Sequence, residues 1–482
     1  MSTETTATEV PASQGGGALG LPQATALIMG SIIGTGVFGL PGVLAAFGSG
    51  VVALVAFICG TVGALLLAVV FGALSKRVKN SEGGPYAFAR ESFGEFAGFL
   101  NAWSYWLTAW MGNVAIVVVW VNYCEVFVNK SETKWASILI ALVGLWVPAV
   151  VNLAGVKNFA AFQVVTTILK FIPLVFFAFI GIFWLTSADF TSGSVPNGTS
   201  VLGAISAGAS IALFSYLGLE AASVAAGKVK NPERNVSRAT ILGTLGCAVV
   251  YVLSLAAVFG TVPNGSLLSD PASFSTAANN IFGGTWAGNL VAAFAIISGI
   301  GALNGWTMIC AEMPFAAAKD GLFPAFFGKT RNGVPHWGII VSTCAATAVT
   351  VLGYIGLKNL LTVIISLSVL TAVIPYMFSM AAQLFYLTTR GRKVSAPHLA
   401  RDITVTVLAL AFCYWAMQAS GYQTLYYGTF ALLLGIPVYI YLKKARNEYG
   451  ETPVIPPGEE SILLAGIPSQ RAVLDKPTQA TT

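Results

Sequence analysis

Charged residues are scarce in this sequence. Its 482 residues include 25 Lys+Arg and 19 Asp+Glu, so that 9% of the chain is charged. Soluble domains carry about 25% charged residues. Apolar residues make up 56% of the chain, and the mean hydropathy is +0.77. A water-soluble protein of this length needs far more charged surface, so the composition excludes the soluble classes and predicts a polytopic helical membrane protein.

The side chains that metal and thiol chemistry require are also few. Two histidines occur, His336 and His398, and the six cysteines form no CxxC or other metal-ligand spacing. We interpret the cysteines as small buried hydrophobic residues and expect neither a metal nor a cofactor. No Cys/His dyad, metal-spaced acidic pair or Gly-rich phosphate loop favours a membrane enzyme, and no basic arm indicates nucleic acid. A transporter-like receptor would need a soluble output domain, and the longest tail has about 40 residues.

Long apolar segments are abundant. A transmembrane helix needs about 20 apolar residues, and twelve segments reach that length. They lie at about 21–47, 50–75, 97–128, 135–155, 160–185, 202–227, 238–262, 286–317, 336–356, 359–388, 401–420 and 423–442. Residues 1–20 are polar and lack Lys and Arg, so we expect a disordered tail. The polar, Pro-rich residues 446–482 predict a second flexible tail.

The basic residues are distributed unevenly between the two faces that these segments define. With twelve crossings, 21 of the 25 Lys and Arg residues lie on the face that holds both termini. Lys130, Lys134 and Lys358 lie on the opposite face, and Lys170 falls inside the fifth segment. Because Lys and Arg accumulate on the cytoplasmic side of membrane proteins, the pattern predicts cytoplasmic termini and favours an even number of crossings.

Glycines interrupt two of the apolar segments. The first contains Gly30, Gly34 and Gly36 close together, and the sixth contains Gly218 beside Glu220. Glycine is unfavourable inside helices, and paired interruptions of this kind indicate a transporter site. An unwound helix frees N–H groups that can bind a carboxylate and carbonyls that can bind an ammonium group. The alternative is that these glycines only allow close helix packing.

Four stretches resemble the amino acid–polyamine–organocation transporters. They are GSIIGTGVFGLPG (30–42), SEGGPYAFAR (81–90), FSYLGLEAASVAAGKVKNPERNVSRAT (214–240) and NGWTMICAEMPFAAAKDGLFP (304–324). The last two are similar to the bacterial basic amino acid/polyamine antiporter branch, which includes arginine/agmatine exchangers. The resemblance implies an all-α, twelve-helix fold of the leucine-transporter type within residues 21–445. Its two inverted five-helix repeats would span about 21–185 and 202–388, with two extra helices at about 401–442.

The resemblance also implies a location and partners. We expect a multi-pass protein of the bacterial inner membrane, surrounded by the lipid bilayer. Its substrate would be a small amino acid or amine, protons would be a second candidate partner, and related transporters are often homodimers.

Carried over by position, the resemblance assigns the substrate site to Ser31, Gly34, Thr35, Gly36, Asn113, Phe214 and Trp306. The N–H groups of 34–36 and the Thr35 hydroxyl would bind the α-carboxylate. Trp306 would pack on the substrate's stem and cationic head, and Asn113 would bind a guanidinium; an interhelical bond is the alternative for Asn113. Ser31 and Phe214 stand where arginine/agmatine exchangers have Asn and Trp. The phenyl ring of Phe214 attracts a cation less strongly than an indole does.

Two acidic residues follow the predicted aromatic contacts. Glu220 comes six residues after Phe214, about 9 Å along a helix, and an acid within the membrane is functional by default. The resemblance makes Glu220 the pH-sensitive coupling group and places Tyr105 in its hydrogen-bond network; a structural tether is the alternative. Glu312, six residues after Trp306, is expected nearer the cytoplasmic interface, in contact with water.

Lys170 is a departure from the arginine/agmatine exchangers, which have a small apolar residue there. Many sodium-independent members of the wider superfamily carry a lysine at this point, whose ammonium takes the place of a sodium ion. We predict that Lys170 binds the freed carbonyls of the first segment, the alternative being that it extends to an interface. Its charge also disfavours a dication such as agmatine or putrescine.

Two transport functions remain open. The first is sodium-independent exchange of a basic amino acid, of the arginine or ornithine type, for a related amino acid or its decarboxylated amine. The second is proton-coupled import of neutral or broad-range amino acids on the same fold. Glu220 and Asn113 favour the first, whereas Phe214 and Lys170 leave room for the second.

Overall fold

The computed structural model describes residues 19–34, 36–78, 83–129, 131, 133–270, 272–356, 358–389, 396–419 and 421–446. In these ranges the regular structure is helical, apart from two isolated β-bridges that join Leu19 to Val229 and Arg331 to Val334. The all-helical class predicted from the composition is therefore confirmed for the part of the chain that is described.

Nineteen α-helices occur in the described ranges. In the first half they are α1 Leu21–Ile32, α2 Gly36–Ala45, α3 Gly50–Arg77, α4 Pro85–Phe93, α5 Glu95–Val128, α6 Lys134–Leu153, α7 Val156–Phe179, α8 Ser187–Thr191, α9 Val201–Ser215 and α10 Ala221–Val224. In the second half they are α11 Pro232–Phe259, α12 Asn264–Leu267, α13 Ser273–Phe282, α14 Trp286–Lys319, α15 His336–Ile355, α16 Lys358–Thr389, α17 Ala396–Ala419, α18 Tyr422–Leu433 and α19 Gly435–Ala445. Short 3₁₀ turns cover Gly181–Trp184, Ala226–Lys228 and Ala325–Gly328.

Eleven segments of the described chain are long and apolar enough to cross a membrane. They correspond to eleven of the twelve predicted segments, and the first of them includes both α1 and α2. Large apolar side chains cover their outward faces; Val62, Leu139 and Ile168 expose 53%, 64% and 61% of their surface. Such a surface suits lipid and not water.

The predicted sixth segment, 202–227, differs from a spanning helix. Helix α9 has 15 residues and extends for about 22 Å, which is less than the ~30 Å hydrocarbon core. Residues 216–220 form turns, and α10 adds only four residues. The reason is Gly218, whose positive φ of 103° cannot continue a right-handed helix. Of the twelve predicted segments, eleven are therefore long enough to span in the described chain, and the sixth is too short and is broken.

Small residues bring the central helices close together. Helix α3 packs against α9 and α11, α5 packs against α14 and α16, and α1 packs against α7 and α11. At Gly60, an added Cβ atom would lie 2.4 Å from the Cβ atom of Ala212, so α3 and α9 approach at a distance that only glycine allows.

The cysteine prediction is only partly correct. Cys124, Cys247, Cys310 and Cys413 are buried, as expected of small hydrophobic residues. Cys344 is exposed on α15 and Cys59 is half-buried on α3, because both face away from the packed centre of the helices.

One end of the molecule, here called the inner face, is tied together by polar contacts. The Leu19 N–H donates to the Lys228 carbonyl (2.9 Å), and the Lys230 N–H donates to the Leu19 carbonyl (2.8 Å). The Tyr86 hydroxyl donates to Asp320 (2.6 Å), and Arg90 pairs with the same carboxylate (3.0 Å). Burial and this hydrogen bond raise the pKa of Tyr86 well above its usual value, so that its hydroxyl remains a donor.

Candidate functional site

The first apolar segment is broken where its glycines predict. Helix α1 ends at Ile32, Ile33 is extended (φ −82°, ψ 102°), and α2 begins at Gly36. Thr35, which the resemblance assigns to the site, lies outside the described residues. The break releases backbone carbonyls from helical hydrogen bonding in the middle of an apolar segment, where each needs another donor.

Side chains from three other helices supply these donors. The Lys170 ammonium donates to the carbonyls of Gly30 (2.8 Å) and Ile33 (2.5 Å). The Trp306 indole donates to the Ser31 carbonyl (3.1 Å), and the Tyr251 hydroxyl donates to the Ile32 carbonyl (2.9 Å). Four consecutive carbonyls, 30 to 33, are thus paired with protein donors. Lys170 is fully buried, so it does not extend to an interface.

The second break contacts the first. The turn at 216–220 follows α9, and an added Cβ atom at Gly218 would lie 2.8 Å from the Cβ atom of Ser31. The Tyr216 hydroxyl is fixed by a 2.8 Å hydrogen bond with Thr61 of α3. The two glycine-rich interruptions, far apart in sequence, therefore meet in the centre of the helices.

A cavity of about 420 Å³ opens beside these breaks. Of the residues predicted for the substrate site, Ser31, Gly34, Gly36, Phe214 and Trp306 line it. The lining continues along α2 and includes Phe47, two residues beyond its end, so the cavity extends away from the inner face toward the far end of α2, here called the outer face. None of the described lining residues carries a charge.

Asn113 is the predicted contact that does not line this cavity. Its amide nitrogen lies 3.8 Å from the sulfur of Cys310, and its carbonyl oxygen is buried without a partner. The neighbouring Gly112 does line the cavity, whereas the Asn113 side chain points toward Cys310 of α14.

Hydroxyl groups that the sequence did not single out form one wall of the cavity. Thr108 of α5 and Ser368 of α16 both line it, and the Ser368 hydroxyl donates to the Thr108 carbonyl (3.2 Å). The Thr108 hydroxyl lies 2.9 Å from that of Thr371. Serine and threonine are common inside transmembrane helices, so their presence alone is no signal of a site.

Glu220 lies at the end of the second break, outside the cavity lining, and is fully buried. Its carboxylate accepts hydrogen bonds from the hydroxyls of Tyr105 and Tyr376, the latter at 2.5 Å, and from the Gly218 N–H at 3.3 Å. The structure thus brings Tyr105 and Glu220 together as expected. Tyr376 was missed, because a tyrosine in the tenth apolar segment carries no distinguishing pattern.

Glu312 is not in open contact with water, contrary to the expectation. It forms an ion pair with Lys228, and the two side chains are 12% and 23% exposed. Glu312 lies near the inner face on α14, where Lys228, at the end of the 3₁₀ turn Ala226–Lys228, covers the carboxylate.

The sequence is also similar to known proteins. A sequence model of the family described as amino acid permease matches residues 19–436. The chain belongs to the amino acid permease family. This permease is accordingly a multi-pass membrane protein, as its eleven long apolar segments indicate.

Curated relatives of the permease are similar over most of their length. An arginine/ornithine antiporter of Pseudomonas aeruginosa is 31% identical over 92% of this chain and 93% of its own. An arginine/agmatine antiporter of Chlamydia pneumoniae is 30% identical over 89% and 91%. A cadaverine/lysine antiporter of Escherichia coli is 29% identical over 89% and 95%. These names indicate transporters and not enzymes.

Proposed function

We propose that this permease is a sodium-independent exchanger of a basic amino acid, of the arginine or ornithine type, for a related amino acid or its decarboxylated amine. The exchange proceeds by alternating access of one central site to the two membrane faces. The observation that carries the proposal is the broken first helix, whose carbonyls at 30–33 are paired with protein donors beside a cavity lined by Phe214 and Trp306. Relatives named as antiporters support exchange.

The substrate's α-carboxylate binds at the start of α2. The first N–H groups of a helix have no partner within it, and the helix dipole favours an anion there. An added Cβ atom at Gly36 would meet no atom within 4 Å, so there is free space next to this backbone. This free space supports binding of the α-carboxylate near Gly34 and Gly36.

The substrate's side chain extends between aromatic rings. Phe214 and Trp306 both line the cavity, and aromatic faces attract a cationic head group without burying a counter-charge. The unpartnered Asn113 carbonyl oxygen lies one residue from the wall, and we assign it to a guanidinium or ammonium group once the cavity closes around the substrate.

Lys170 supports the absence of a sodium requirement. Backbone carbonyls are the ligands that a bound cation would use in an unwound helix. Here a fixed ammonium already occupies the carbonyls of Gly30 and Ile33. Sodium has no remaining role at this position in the proposed cycle.

Twelve crossings are part of the proposal, with α9, the turn and α10 forming a broken sixth crossing. The interruptions in the first and sixth segments support two inverted repeats, about 21–185 and 202–388, followed by extra helices at about 401–442. The excess of Lys and Arg on the face that holds both termini supports cytoplasmic termini, and hence a cytoplasmic inner face. The membrane in this proposal is the inner membrane of a bacterium.

Proton-coupled import of neutral or broad-range amino acids is the second candidate. The absence of an acidic side chain from the described cavity lining favours it, because nothing there selects a positive charge. In that case Glu220, held by Tyr105 and Tyr376, is the group that carries the proton.

Proteoliposomes preloaded with a panel of amino acids and amines distinguish the two functions. We expect uptake of external arginine or ornithine to require a basic amino acid or its amine inside, and to be unchanged when sodium is replaced by potassium. Uptake of alanine or leucine into empty vesicles, driven by a proton gradient, would establish the second function. Transport of no basic amino acid under any loading would refute the first.

A further inference from the structure

The broken sixth segment continues into a short stretch, residues 224–230, that covers the inner face. Glu220 is followed by α10, with four residues, and then by the 3₁₀ turn Ala226–Lys228, which ends at Lys228. The stretch is attached to three separate parts of the chain. The Gly83 N–H donates to the Val224 carbonyl (3.1 Å), Leu19 pairs with the backbone of 228 and 230, and Lys228 pairs with Glu312.

The ion pair is the attachment that reaches the substrate site through a rigid element. Glu312 is on α14, the same 34-residue helix as Trp306, which lines the cavity six residues earlier. Lys228 follows the turn that contacts Ser31 at the first break. The pair therefore connects the two walls, α14 and the sixth segment, that must separate before the site can open toward the inner face.

We propose that the Lys228–Glu312 ion pair is an inner lock, which keeps the cavity open to the outer face by holding residues 224–230 against α14. A partly buried pair strongly resists the loss of one partner, because the other charge is then left uncompensated. The lock opens when the stretch swings away and both charges become hydrated, so that the cost of opening depends on the pair's complementary charges.

The inference rests on the proposed alternating access, but it can be tested without a substrate. Two cysteine reporters are introduced in separate proteins that lack Cys59 and Cys344, the cysteines of intermediate and high exposure. Ala311→Cys lies beside the pair in a small second cavity and is 1% exposed, and Ala207→Cys lines the outer cavity. Labelling by a water-soluble maleimide is measured by mass spectrometry in lipid nanodiscs, where both faces are accessible.

Glu312→Gln and Lys228→Met should each raise the labelling rate at 311 and lower the rate at 207, by at least about threefold. The charge-swapped protein, Lys228→Glu with Glu312→Lys, should return both rates to those of the unaltered pair. Asp402→Asn is the matched control. It breaks the similarly exposed Arg77–Asp402 pair between α3 and α17, which are unbroken helices, and should change neither rate.

Three results would overturn the lock. The first is unchanged labelling in both single variants. The second is a rise in labelling at 311 without a fall at 207, because that indicates only local loosening. The third is a charge-swapped protein in which neither labelling rate is restored. Failure of the exchange assay together with reciprocal labelling would refute the proposed substrate and leave the lock intact.

Discussion

Lys170 is the residue on which the broken first helix depends most directly. It supplies two of the hydrogen bonds to the carbonyls of residues 30–33, and no part of it reaches solvent. Lys170→Met keeps much of the volume but leaves the Gly30 and Ile33 carbonyls without that donor, at a cost of about 1–3 kcal/mol each. We expect exchange to fall at least about tenfold, measured as initial uptake in proteoliposomes.

Lys76→Met is the control for that substitution, since Lys76 is an exposed lysine in the last turn of α3, outside residues 224–230. It should retain the parental rate. Retention of half the rate or more by Lys170→Met would show that the carbonyls find other donors and that the ammonium is dispensable.

At the level of single residues, charge made part of the site predictable. Lys170 and Glu220 stand out because an ionisable side chain in an apolar segment is costly unless it has a partner. The tyrosines that donate to the Ile32 carbonyl and to Glu220 do not stand out. Tyr251 and Tyr376 are tyrosines within ordinary apolar segments, and each reaches its acceptor across more than one hundred residues of sequence. Only the packing of the helices reveals them.

Gly218 is the point at which the two broken elements are in contact. Its φ of 103° lies in the region that favours glycine, and an added Cβ atom would meet Ser31 at 2.8 Å. Gly218→Ala therefore combines backbone strain of about 1–2 kcal/mol with a clash between the breaks. We expect a lower thermal midpoint and a loss of exchange of at least about tenfold.

Gly421→Ala separates the two causes. Gly421 also has a positive φ, 87°, but an added Cβ atom there would meet nothing within 4 Å. It should lower the thermal midpoint slightly and leave the rate intact. Equal losses of exchange in both variants would attribute the effect to backbone strain and not to the contact between the breaks.

At the level of elements, apolar length predicted the straight helices and glycine predicted the breaks. The ends of α3, α5 and α14 agree with the predicted segments to within a few residues. The exact end of α9 was harder to predict, because Gly218 marks the break but nothing in the composition of residues 202–227 shows that the helix stops at Ser215. Helix α9 ends three residues before Gly218, whose positive φ turns the chain beside Ser31.

For the whole molecule, the closed inner face and the cavity on the outer side are two parts of one arrangement. The cavity lining begins at Ser31 and extends to the outer face, whereas the contacts of Leu19, Gly83 and Glu312 cover the sixth segment on the inner face. Alternating access requires that these inner contacts break together, since each of them holds the same stretch, residues 224–230. Once one of these contacts has been weakened, weakening a second should therefore change the labelling rates by less than it does in the unaltered protein.

Leu19→Pro tests this cooperation. Proline has no N–H to donate to the Lys228 carbonyl, whereas Leu19→Ala keeps that donor and serves as the control. In the maleimide assay, Leu19→Pro should resemble Glu312→Gln, with faster labelling at 311 and slower labelling at 207. Leu19→Pro and Glu312→Gln both release residues 224–230. The variant that carries both should therefore change the labelling rates by less than the product of the two single effects. A fully multiplicative effect would mean that Leu19 and Glu312 act on separate parts of the inner face, so that no single closing unit exists there.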